Sequence, residues 1–248
     1  MAARCFRGAL WVGLAAVAGC TEPASGVGVA GTPVLRPAGE PALPESSSPP
    51  AYRLERIGPA GRPEAVAGAE RVLAAAALAD GAVVFVTHEG LDGRLVLVRG
   101  AERRTLDEAV VPELAVAPGG RRLLYPRRAG DDVELVLLEP ATGARRVVHR
   151  GPTADRPCFR PDGGAFAFVG TGDGGLASLF VAEGAGPARQ TTNVGLRGPG
   201  LPDGFVPPPL RAEDVAWDGG RIAYPLPDGR RCEVDPAAGR GACAEVRP

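Results

Sequence analysis

The sequence predicts an all-β chain: a β-propeller of about four four-stranded antiparallel blades, carried behind an N-terminal signal and a disordered tether. Three observations point there. Gly (36) and Pro (26) make up a quarter of the 248 residues, yet the 45% hydrophobic content is ordinary for a packed domain. A Gly-rich turn followed by a short apolar strand recurs four times, with an aromatic at the same place in each copy: Phe85, Tyr125, Phe168 and Tyr224. The intervals are 40, 43 and 56 residues, and the first two match the length of a propeller blade, about 40–50 residues.

Arg4 and Arg7 precede Gly8 to Gly19, an uncharged, mostly apolar run of 12 residues. A spanning helix needs about 20 residues, so this run has the length of a signal-peptide core instead. It ends Val17-Ala18-Gly19-Cys20, which resembles the lipobox of bacterial lipoprotein precursors. The resemblance implies cleavage of residues 1–19 and acylation of the Cys20 thiol with palmitate-type chains. Each buried CH₂ then contributes about 0.8 kcal/mol of membrane affinity. Residue 21 is Thr, not Asp, which by the same resemblance favours an outer over an inner membrane. Loss of Arg4 and Arg7 leaves 26 basic against 29 acidic residues, so no polybasic patch assists the lipid. Nor is there a basic footprint for nucleic acid.

Residues 20–50 read as the lipidated cysteine and its tether. Thr21 to Pro50 holds seven prolines, four glycines, Ser46-Ser47-Ser48 and no aromatic residue. Such a segment cannot bury enough apolar surface to order itself. A flexible chain of that length reaches about 30 Å.

Residues 51–248 carry the repeat. The four copies of the turn are Ala79-Asp80-Gly81, Pro118-Gly119-Gly120, Pro161-Asp162-Gly163-Gly164 and Trp217-Asp218-Gly219-Gly220. Downstream of each aromatic comes another strand: Leu95–Val98, Val133–Leu138, Leu176–Val181 and Arg231–Val234. A further turn such as Pro140-Ala141-Thr142-Gly143 then leads into a fourth strand, Arg145–Val148. Arg156-Pro157-Cys158-Phe159-Arg160-Pro161-Asp162-Gly163, followed by Phe166-Ala167-Phe168, resembles the WD40-like (PD40) repeat of TolB-type propellers. The third unit is the best copy and the other three are degenerate. The resemblance covers about Val72 to Val246. It implies an envelope protein that binds protein partners. In the motif, Asp162-Gly163 makes the tight turn, Phe159 packs between blades and Phe168 fills the next inter-blade layer.

Two places read ambiguously. By propensity Pro63 to Ala79 suits an amphipathic helix, whereas the repeat register makes Val72 to Leu78 an inner strand, and the register is preferred. Tyr52 to Ile57 reads as a strand that closes the ring or as the remnant of another blade. If it is neither, the array stays open and completes itself with a partner.

Little points to catalysis. Every basic residue is Arg, which removes phosphate-loop and Schiff-base lysine chemistry. Gly170-Thr171-Gly172-Asp173-Gly174-Gly175 fits a dinucleotide fingerprint, but a strand follows where a helix is needed, so it reads as a hairpin. His88 and His149 lie in different repeats and read as surface or edge residues; no zinc-ligand spacing is present. Ser178 lies mid-strand without a nucleophile-elbow frame. Asp131, Asp132 and Glu134 read as a solvated hairpin tip. No cofactor or metal is expected. Among the cysteines, Cys158 reads as a small buried hydrophobe. If Asp235 pairs with Arg240, Cys232 falls opposite Cys243, where a disulfide is feasible in an oxidising envelope.

The expectation is therefore a non-catalytic, lipid-anchored envelope scaffold for a protein partner. Two alternatives remain: a small-ligand or sugar-binding lipoprotein, and a propeller hydrolase or lyase using acidic residues at the mouth of the ring. The insertion Gly195 to Leu210 is the candidate docking strip, with Phe205, Pro207, Pro208 and Pro209 as contacts, or a connector whose Phe205 packs down.

Overall fold

The computed structural model describes residues 33–37, 52–57, 62–66, 68–69, 71–87, 93–172, 177–184, 186–191, 215–225, 230–237 and 240–245. The expected signal, Cys20, His88 and the Gly195 to Leu210 insertion with Phe205, Pro207, Pro208 and Pro209 lie outside them. Every regular element among the described residues is a strand.

The first blade is β4 (Val72–Ala77), β5 (Val83–Thr87), β6 (Gly93–Arg99) and β7 (Glu102–Val110). The second is β8 (Ala115–Val116), β9 (Leu123–Ala129), β10 (Asp132–Glu139) and β11 (Ala144–Gly151). The third is β12 (Ala154–Phe159), β13 (Ala165–Thr171), β14 (Ala177–Glu183) and β15 (Arg189–Gln190). The fourth is β16 (Ala216–Asp218), β17 (Arg221–Pro225), β18 (Arg230–Asp235) and β19 (Arg240–Glu245). Within each blade neighbouring strands pair antiparallel in chain order. The chain is a β-propeller of four four-stranded blades, as the repeat predicted.

Ahead of the first blade lie β1 (Pro33–Pro37), β2 (Tyr52–Ile57) and β3 (Pro63–Ala65). β2 pairs with both of the others and touches β4 through Tyr52↔Val72. One expectation changes here and another, the strand at Val72 to Leu78, holds. Pro33–Pro37 forms a strand inside the stretch read as a tether. Composition averaged over thirty residues hides a local apolar pair, Val34-Leu35, bounded by prolines that suit strand ends. The described residues of 63–79 hold strands and no helix, as the repeat register requires. The alanines of β4 alternate between two apolar layers, a period of two that overrides their helical propensity.

The four aromatics justify the register. Phe85 faces Val96, Tyr125 faces Val136, Phe168 faces Phe180 and Tyr224 faces Cys232 across the second and third strands. Each aromatic points toward the preceding sheet and sits in a different core cluster. The core is thus a series of layers between sheets. Phe159 and Phe168 share one such layer, between the second and third blades, rather than occupying successive ones. Phe159 pairs with Phe166, and Phe166 and Phe168 are two apart on one face.

The turns interlock as well. Gly163 has φ +71° at the tip of the third blade, where Pro118 lies against it. A Cβ on Gly120 would lie 2.2 Å from the Ala79 nitrogen, so only glycine lets the second tip sit on the first.

Arginines then fasten blade to blade through backbone carbonyls. Arg104 donates to Pro140 O at 3.1 Å, and Arg145 returns to Leu106 O at 2.9 Å. Arg122 donates to Gly163 O at 2.6 Å, and Arg189 to Pro236 O at 2.5 Å. The long stem and multi-donor fork of Arg suit this reach, and each bond contributes about 0.5–1.5 kcal/mol.

Candidate functional site

Two places among the described residues have the makings of a site. The first is a cleft of about 510 Å³ between the hairpin tips of the first and second blades. Leu78, Ala79 and Pro140 give it an apolar floor, while Asp80, Arg99, Arg121, Arg122 and Glu139 supply its charges. Asp80 is built into its turn: its Oδ1 accepts the Ala82 N–H at 3.1 Å, and its Oδ2 meets Arg99 Nη2 at 2.5 Å. The Ala82 N–H holds its carboxyl below the ordinary 3.8; burial opposes this, and Arg99 adds to the lowering. Glu139 accepts the Thr142 hydroxyl at 3.3 Å. Arg121 is exposed and no described residue holds it. Three guanidinium groups therefore face two carboxylates, both already engaged.

The second place is the entry to the inner strands. Glu113, in the connection from β7 to β8, accepts the backbone N–H of Arg156 at the start of β12. Arg156 has φ +59°, and β12 bulges between Asp155 and Cys158. Burial raises the Glu113 carboxyl above its ordinary 4.5, the Arg156 N–H lowers it, and the Asp155 charge raises it further. Burial likewise raises Asp155, with Arg156 opposing. Nearby, the Thr153 and Thr171 hydroxyls are 2.9 Å apart. Strain and perturbed carboxyls together mark functional places in folds. Sequence reasoning missed this pair; the available signal was an acidic residue just upstream of a Gly-turn strand in both units.

A third polar cluster is a joint rather than a site. Tyr125 OH donates to Asp107 Oδ2 at 2.6 Å, and Arg145 Nη1 lies 3.4 Å from the same oxygen. Arg127 donates to Glu134 Oε2 through Nε (2.9 Å) and Nη2 (2.8 Å). Burial and the Asp107 carboxylate push the Tyr125 phenol well up. Glu134 is thus buried and paired, not part of a solvated tip, because it faces Arg127 across the hairpin.

His149 is also not a simple edge residue. Its ring packs 4.9 Å from Phe168 and 4.7 Å from Phe180, in a notch left by Gly151 and Gly170. Burial lowers its basicity. Cys158 is buried, with its Sγ 3.7 Å from the Phe159 carbonyl. Cys232 is 1% exposed, is held in a disulfide, and lies opposite Cys243 in the register that pairs Asp235 with Arg240.

No family model matches the chain, and no curated protein does. Solved structures do. The fold is similar to that of TolB from Acinetobacter baumannii, with TM-score 0.52 and 20% identity over 86% of this chain and 51% of that one. It is similar to a chain of a nidogen/laminin complex, with TM-score 0.50 and 16% identity over 78% and 72%. It is also similar to puromycin hydrolase, with TM-score 0.50 and 19% identity over 82% and 34%. The chain spans about half the length of the TolB structure. At these identities the likeness is one of fold, and that fold is a TolB-like β-propeller.

Proposed function

We propose that the protein is a non-catalytic scaffold of the cell envelope, lipid-anchored at Cys20 on the outer membrane, whose propeller receives an acidic segment of a partner protein. The observation that supports this reading is the cleft between the first two blade tips. Its Asp80 and Glu139 carboxylates are engaged internally, while Arg99, Arg121 and Arg122 line it. Charges so placed steer and orient a partner more than they add raw affinity. No aromatic ring is among the described residues that line the cleft, which weighs against sugar stacking there. A cross-strand Cys232–Cys243 bond belongs to the same reading, as a staple suited to an oxidising compartment.

The test uses the full chain in membranes, with a photo-crosslinking residue at Ala141. One crosslinked species is expected, lost in Arg99→Glu/Arg121→Glu and retained in Arg231→Glu. Crosslinking indifferent to the cleft charges would sink the proposal. Separately, Cys20→Ser should move the protein from the membrane to the soluble fraction.

Glu113 and Asp155 favour a second reading, a hydrolase or lyase in which one raised carboxyl serves as the acid. Glu113→Gln and Asp155→Asn would each abolish turnover of a glycan or peptide panel if it holds. On the scaffold reading neither variant changes crosslinking.

A further inference from the structure

Each blade presents one row of its middle strands to the sheet that follows. In the first three blades this row is Val84↔Leu97, Leu124↔Leu137 and Ala167↔Val181. All six side chains are buried, in the layers shared with the next blade. In the fourth blade the same row reads Ala223↔Glu233. The Glu233 side chain is 42% exposed and lies 3.5 Å from Arg221 Nη1, itself 64% exposed. Arg231, two residues from Glu233 on the same face, is also exposed. At the Glu233 position the first three blades carry Leu97, Leu137 and Val181, whereas the fourth carries a carboxylate in a solvated ion pair beside Ala223, which is 1% exposed.

The other end differs in kind but not in outcome. The first blade's Val72, Ala75, Val83, Phe85 and Val96 are covered by Leu54, Val66 and Ala69 from the β2–β3 hairpin, not by a blade. On the far side of that hairpin Arg53 is exposed. Among the described residues no core layer joins the fourth blade to β2.

We propose that this propeller is an open arc with a polar cap at each end, and that it folds and acts as a single copy instead of as a half-ring completed by a second one. The physical reason is that of terminal repeats in stacked arrays. An end face with no successor must be polar to stay soluble and unpaired. Closing the arc on another apolar sheet would bury Glu233 and Arg221, and burial of such a pair is not recovered by their attraction. This inference does not depend on the partner or on lipidation.

The test is the mass of the Cys20→Ser protein in solution, by light scattering across a concentration series. The monomer mass is expected throughout. Arg221→Leu/Glu233→Leu makes the terminal row match the internal ones, so it should double the mass or form larger species. Val181→Glu, the same row within the third blade, should instead lose the cooperative thermal transition. A wild-type dimer would overturn the proposal. So would a double variant that stays monomeric and melts higher, since the face would then already be covered within the chain.

Discussion

The third blade packs with rings where the first packs with small aliphatics. Phe159, Phe166, Phe168 and Phe180 fill one layer, with Phe168 and Phe180 stacked at 5.2 Å and His149 against both. In the first blade Phe85 stands among Val72, Ala75, Val83 and Val96, and its inner strand is a run of alanines. Yet the two aromatics occupy the same register position, Phe85↔Val96 and Phe168↔Phe180. The position, the period of two and the Gly turn therefore carry the fold. The Phe-rich motif is one way of filling it, and native packing density can be reached by other sets of volumes.

The sharpest way to break this comparison is to empty both positions. Phe168→Ala should cost about 3–5 kcal/mol, the range for a buried ring. Phe85→Ala should cost less, by about 0.5–1.5 kcal/mol, because it forfeits no ring pair. Urea denaturation of both variants measures the difference, and equal losses would mean that the aromatic cluster adds nothing beyond its volume. Next in size is the opposite perturbation. Ala76 is 3% exposed in the layer between the first two blades. Ala76→Leu should overpack that layer at a cost of about 1–3 kcal/mol. A neutral result would show that the alanine strand leaves slack.

The second blade sharpens the comparison, since it puts a phenol at the aromatic position. Tyr125→Phe keeps the ring but removes the bond to Asp107, at a cost of about 0.5–1.5 kcal/mol. Arg127 and Arg145 remain to hold that carboxylate, so no larger loss is expected. The smallest effect is a pH dependence in the ring-rich layer. Burial depresses His149 below its ordinary 6.5. Stability from its neutral form is complete above that value and is lost as pH falls through the depressed one. His149→Phe should flatten this acid limb, seen as a smaller drop in Tm between about pH 7 and about pH 5.

Much of this fold was legible because its signals are local. Asp162-Gly163 and Phe168 lie within one hairpin, and alternation over six residues is enough to assign a face. Residues 72–77 were harder, since an alanine run suits a helix until the repeat supplies the register. β1 was missed because its partner lies some fifteen residues downstream, beyond the compositional window that suggested a tether. The candidate site was less legible. Glu113 and Arg156 are 43 residues apart and meet only because a bulge turns β12 at Asp155. The cleft is a meeting of turns from two blades, and no single turn announces it. Glu134 reads as surface in the sequence because its partner Arg127 is recognised only once the strands pair.

The arginine fasteners have a practical meaning for anyone handling this protein. With no lysine in the chain, reagents that attack side-chain amines have nothing to modify, and acylation at the amino terminus would remove the last such group. Trypsin, by contrast, cuts after arginine alone here. Arg104, Arg122, Arg145 and Arg189 are each tied to a neighbouring blade. The order in which cuts appear after those four residues would therefore act as a clock for each seam, recording which pair of blades parts first as the molecule is warmed.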